Sequence, residues 1–179
     1  PDSTPDGSNG AWVKQSGSID KDVTVAIPST YATLQEAIDA LSKYRTTQGV
    51  TINLNIESGH SLTSGVLVSD GDFGRFHITS DDASVPLDPS FPAGDDFVRT
   101  VRGTAPTLNC LISMNGAGQF GYVLRQGSRG HVMPGAGVEG SDVNLQVWEN
   151  SHCFARSTIF RNAQENSWGR NVWVSTASA

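Results

Sequence analysis

From Val50 onward apolar and polar positions alternate strictly. Val50, Ile52, Leu54 and Ile56 fall on one side of an extended chain, and Thr51, Asn53 and Asn55 on the other. A period of two predicts a strand with one face buried. Shorter β-favouring runs follow at 66–68, 76–78, 97–101, 108–114, 122–124, 143–147, 157–160 and 171–174, with Gly, Asn, Asp or Ser in nearly every gap. Ahead of them, the pieces Trp12-Val13 and 23–27 are parted by Gly17 and Asp20 and stopped by Pro28, which predicts one or two short strands.

One stretch follows a different period. In TLQEAIDALSKY, Leu34, Ala37, Ile38 and Leu41 share one helical face, and Thr33-x-x-Glu36 has the form of a capping box. This predicts a single amphipathic helix around 33–45, ended at the Gly49 stop signal. The span 81–96 carries Pro86, Pro89 and Pro92, shows no strand period, and is expected to be a surface excursion. With no second helical pattern, a doubly wound sheet is ruled out.

The later strands repeat. Gly116-Ala-Gly-Gln-Phe-Gly121 leads into Tyr122-Val-Leu-Arg, Gly135-Ala-Gly-Val-Glu-Gly140 leads into Val143-Asn-Leu-Gln-Val, and Asn144-Leu-Gln-Val-Trp is echoed by Asn171-Val-Trp-Val. Intervals of roughly 20 to 27 residues suit a solenoid whose turns give short strands to stacked parallel sheets. The amphipathic helix then has a task, because the first turn leaves apolar side chains and backbone groups uncovered. An antiparallel β-sandwich with one stray helix is the competing fold. Both Gly segments satisfy Gly-x-Gly-x-x-Gly, but neither opens a helix, so they read as repeated turns and not as a phosphate cradle. The domain division that follows is a flexible linker at 1–10 and one β domain at 11–179, with cap helix 33–45 and coils 50–179 expected to continue past the last residue.

Composition narrows the function. The chain has 179 residues, a formal charge of −6 and scattered basic residues, so no cationic footprint for nucleic acid is present. Lacking an apolar run of about 20 residues, it is not expected to insert in a membrane. Cys110 and Cys153 are too few for a disulfide framework or a zinc site and read as buried thiols. No cofactor or metal motif occurs, nor a Gly-x-Ser-x-Gly elbow, His-Glu-x-x-His or Cys-x-x-Cys.

The order of a Trp-containing strand piece, YATLQEAIDALSKY, the alternating strand VTINLNIESG and Gly-rich coils such as NCLISMNGAG and SHCFARSTIFRNA resembles the pectin-lyase-like right-handed parallel β-helix of bacteriophage tail fibres and tailspikes. Related helices also begin secreted polysaccharide lyases of that fold. The resemblance spans about 11–179. It implies an all-β fold and a homotrimer on the virion, facing outward, attached to other tail or baseplate proteins and binding host cell-surface polysaccharide. In some members it also implies hydrolase or lyase action.

Depolymerases of this kind use paired carboxylates. Candidates here are Asp70 with Asp72, Asp81 with Asp82, Glu139 with Asp142, and Glu149 with Glu165. Most lie in expected turns, where an acidic side chain is ordinarily solvated or turn-forming, so an adhesive segment without its own active site is the leading expectation. The alternatives are a glycan-cleaving enzyme or a carbohydrate-binding module. For binding, Trp148 and Trp173 lie about one coil apart and would meet if the coils stack in register, with Arg156, Arg161 or Arg170 beside them to bond hydroxyl or acidic sugar groups.

Overall fold

The computed structural model describes residues 17–114, 120–163 and 170–175. They form a parallel β-solenoid of about six turns. Among the described residues every strand pairing is parallel, which removes the antiparallel sandwich.

Each full turn visits three faces in the same order. Face one stacks Val23–Ile27, Ile52–Ile56, Phe76–Ser80, Thr107–Leu108, Arg129–Val132 and His152–Ala155. Face two stacks Val85–Pro86, Leu111–Ser113, Gly137–Glu139 and Ile159–Arg161. Face three stacks Val66–Ser69, Asp96–Val101, Phe120–Arg125, Val143–Trp148 and Arg170–Ser175. The alternating strand read at Val50 behaves as expected: Ile52, Leu54 and Ile56 are buried and stand in register with Val23, Val25 and Ile27 on one side and Phe76 and Ile78 on the other. Columns of apolar side chains run through the stack, so each turn completes the core of its neighbours.

The helix is shorter than the expected 33–45. It spans Leu34–Leu41, with Thr33 as N-cap accepting from the Glu36 N–H, and it buries Leu34, Ala37, Ile38 and Leu41 in the common core. Arg45–Thr46 instead forms a small strand beside Ser18–Ile19, which ends the helix early. Two contacts fasten the helix to the first turn. Gln35 Oε1 accepts the backbone N–H of Leu67 at 2.7 Å, and Arg75 Nη2 donates to the Ser42 and Tyr44 carbonyls at 3.2 and 3.3 Å. An edge donor and two carbonyls just past the helix are thereby satisfied, which is what a cap must do.

Three other expectations change. The run 108–114 is not one strand: it breaks at Asn109 and Cys110 into pieces on faces one and two. The span 81–96 is not wholly surface, since Val85–Pro86 joins face two and Leu87 and Phe91 are buried. The piece Trp12-Val13, the linker 1–10 and the first four residues of the Gly116 repeat lie outside the described residues.

The corners are stacked as well. Asp70, Arg102, Gln126 and Glu149, with φ of 54°, 52°, 55° and 54°, each follow a face-three strand at the same level of the turn. A left-handed residue there bends the chain from face three toward face one. Inside the next corner, Ser128 Oγ donates to the Thr100 carbonyl at 3.1 Å and Ser151 Oγ accepts the Ser128 N–H at 3.1 Å, so buried turn groups are paired from one coil to the next.

Candidate functional site

Along the face-three strands Val66, Val68, Val98, Tyr122, Leu124, Leu145 and Val147 belong to the core. The residues between them point outward and are aligned by the same register: Leu67, Arg99, Val123, Gln146 and Trp173 form one row. Next to it stand Arg125 and Trp148. Val123, in this row, is buried although it stands outside the core cluster.

The upper end of this face gathers aromatic and cationic groups. Trp148 and Trp173 have ring centroids 5.5 Å apart at 33°. The Arg125 guanidinium lies 5.2 Å from the Trp148 centroid and that of Arg170 lies 5.1 Å from the Trp173 centroid. Arg125 Nη2 also donates to Gln146 Oε1 at 3.1 Å. Three residues expected from the sequence, Trp148, Trp173 and Arg170, therefore meet. Arg156 is not among them: it is exposed in the turn after the face-one strand His152–Ala155. Arg161 pairs with Glu139 at 2.8 Å on face two. Arg125 went unread because its place in the row depends on the register between coils.

The arrangement follows from the strand echo, with one shift. Asn144 and Asn171 occupy the same level, so Gln146 faces Trp173, and Trp148 reaches Trp173 diagonally. Asn144 is buried. Its Oδ1 accepts from the Ser141 N–H and Oγ at 3.1 and 2.7 Å, and its Nδ2 donates to the Arg161 carbonyl and to Asn171 Oδ1, both at 2.8 Å. These four bonds fix the start of the strand that carries Trp148.

Most of the candidate carboxylates have local partners. Asp70 is gripped by Arg102 through Nε at 2.7 Å and Nη2 at 2.9 Å, and the same guanidinium reaches Gln126 Oε1. Asp72 accepts the Gly74 N–H at 3.1 Å within its own turn. Asp81 accepts from Asn55, and Asp82 from Ser58 and the Gly59 N–H. Glu139 holds Arg161. Asp142 is buried, and its carbonyl accepts the Arg170 N–H at 2.8 Å. Glu149 sits at its left-handed corner with Oε2 shielded from solvent and lacking a hydrogen-bond partner. Glu165 and Trp168 lie outside the described residues.

Sequence reading also missed Asp96. Its side chain is only 2% exposed, bound through Oδ2 to Arg99 Nε, while Oδ1 has no hydrogen-bond partner. It lines a groove of about 490 Å³ between the helix and the lower end of face three, together with Gln35, Asp39, Leu67 and Asp95. Burial pushes its carboxyl above the ordinary 3.8, although Arg99 pulls the other way. Asp70 is held below 3.8 by the Arg102 hydrogen bonds, and Asp82 and Asp88 by bonds from Gly59 with Ser58, and from Ser90.

A carboxyl ¹³C titration is therefore expected to place Asp96 above 3.8 and these three below it. The linkage signs are opposite. Folded Asp96 keeps its proton to higher pH than unfolded Asp96, so its contribution weakens stability as pH rises from 3.8 through its folded value. The other three contribute stability above 3.8 that is lost as pH falls through theirs. Both thiols are free, and burial pushes Cys110 and Cys153 up to about 12, so neither is a ready nucleophile at neutral pH.

Among the described residues no group of three or more His, Cys, Asp or Glu could hold a metal ion, and no helix is long and apolar enough to cross a membrane. No family model matches the chain, and no curated protein or solved structure does. The parallel β-solenoid accordingly stands on its strand pairings.

Proposed function

We propose that this solenoid is an adhesive segment of a phage tail fibre or tailspike, trimeric and virion-borne, that binds host cell-surface polysaccharide on the outside of face three. The observation that carries the reading is the meeting of Trp148 and Trp173, drawn from successive coils, with an arginine over each ring. Indole rings give a sugar ring an apolar surface at little conformational cost, and guanidinium groups beside them supply directed donors for its oxygens.

Binding to an array of bacterial surface polysaccharides tests this. Trp173→Ala is expected to weaken the captured glycan by about 2 kcal/mol, roughly thirtyfold, while Arg156→Ala leaves it unchanged. Equal binding by wild type and Trp173→Ala would remove the ladder as the site.

One observation favours a glycan-cleaving variant of the same reading. Asp96 lines a groove with Asp39 and Asp95, and burial raises its carboxyl in the direction a general acid needs. Release of reducing ends or unsaturated products from a bound polysaccharide, abolished in Asp96→Asn, would establish it.

A further inference from the structure

Of the nine arginines, all among the described residues, three are held in ion pairs. Arg99, Arg102 and Arg161 are neutralised by Asp96, Asp70 and Glu139. Among the described residues the other six have no ion pair, and two of these, Arg125 and Arg170, lie over the tryptophans. Arg125 spends one nitrogen on the neutral Gln146 amide, and its Nε is shielded from solvent and donates to nothing. The Arg125 charge is felt by Asp96, but the ion pair of that carboxylate is with Arg99. Arg170 is exposed at the edge of the indole pair. Among the described residues, two cations without an ion pair thus stand at one aromatic patch.

The geometry points to an anionic saccharide as the ligand of this patch: a ring bearing a carboxylate, which stacks on the Trp148 and Trp173 indoles while its charge is taken by Arg125 and Arg170. The inference rests on the face-three binding reading and adds the ligand class to it. A guanidinium binds a carboxylate through two parallel N–H donors, and such charge-assisted bonds are roughly twice as strong as neutral ones. A neutral hydroxymethyl group in the same place offers no charge to match. Arg125 and Arg170 are then specificity residues, and the tryptophans supply affinity for either ring.

Methyl β-D-glucuronide and methyl β-D-glucoside differ only in having a carboxylate or a hydroxymethyl group at that carbon, so they isolate the effect. Each is titrated into the full chain while the indole N–H resonances of Trp148 and Trp173 are followed by NMR. The expected result is at least tenfold tighter binding of the glucuronide, weakened by added sodium chloride while glucoside binding is not. In Arg170→Gln, an exposed position whose replacement spares the core, the two sugars should approach equal affinity, and Arg125→Gln should do the same. Equal binding by wild type, with both indoles responding, overturns the anionic class and leaves the binding site standing. No indole response to either sugar overturns the site itself, and this inference with it. Discrimination that survives both arginine replacements also overturns the assignment, because the charge would then be read elsewhere.

Discussion

Gly137→Ala is expected to destabilise the solenoid by about 4 kcal/mol, in the range reserved for a buried clash that cannot relax. Gly137 stands opposite Ile159 in face two at φ 156°, and an added Cβ would lie 1.8 Å from the Ile159 carbonyl oxygen and 2.9 Å from its nitrogen. Both obstacles are backbone atoms of the next coil. Moving them means opening a ladder whose bonds include Gly137 N–H to the Cys110 carbonyl and Ile159 N–H to the Ala136 carbonyl. Gly127 provides the comparison. It has φ +76° but nothing within 4 Å of an added Cβ, so Gly127→Ala should cost only about 1 kcal/mol, the left-handed penalty alone. Denaturant melts of the two variants separate strain from collision, and a similar loss in both would contradict the close approach of coils at Gly137.

Asn144→Ala should cost about 3 kcal/mol, and its effect should be local. The substitution strips the acceptor from the buried Ser141 N–H and hydroxyl and one of two donors from the Arg161 carbonyl, which keeps the Gly140 N–H; each buried group left unpaired costs about 1 to 3 kcal/mol. Asn171→Ala removes only the far end of the ladder at an exposed residue and should cost less than half as much. Because a coil touches only its neighbours, hydrogen exchange should speed up in Val143–Trp148 and Arg170–Ser175 while Ile52–Ile56 stays protected. Uniform loss of protection along the chain would show that the solenoid unfolds as one unit.

What could be read from the sequence was whatever obeys a local period. The alternation at 50–56 and the Thr33–Glu36 capping signature report their own surroundings, and both elements are present. The helix end was misjudged because Tyr44 and Arg45 continue a helical pattern on paper, whereas pairing of Arg45–Thr46 with Ser18–Ile19 depends on a segment far back in the chain. The break inside 108–114 was invisible for a related reason: apolar residues on both sides of a solenoid corner point to the same core, so hydrophobicity does not mark the bend. Site residues divide in the same manner. Trp148 and Trp173 could be brought together from the Asn144 and Asn171 echo, since a repeat in sequence is a register in space. Asp96 could not, because its burial comes from packing near a helix more than fifty residues earlier, although Arg99 one helical turn's length later was a visible partner.

The ladders stay in register although the coils differ in length: Val66 to Val98 encloses the long Pro-rich detour, and Tyr122 to Leu145 encloses almost nothing beyond its three strands. Extra chain leaves at a corner and returns to the same level. The stack therefore works as a ruler, with rungs about 4.8 Å apart whatever the perimeter of each coil. A group on the outside can be moved one rung up or down, or hung on a longer corner, without disturbing the core beneath it. Spacing along the axis is set by the backbone, and the choice of what is displayed at each mark is left to single residues such as Arg99, Gln146 and Trp173.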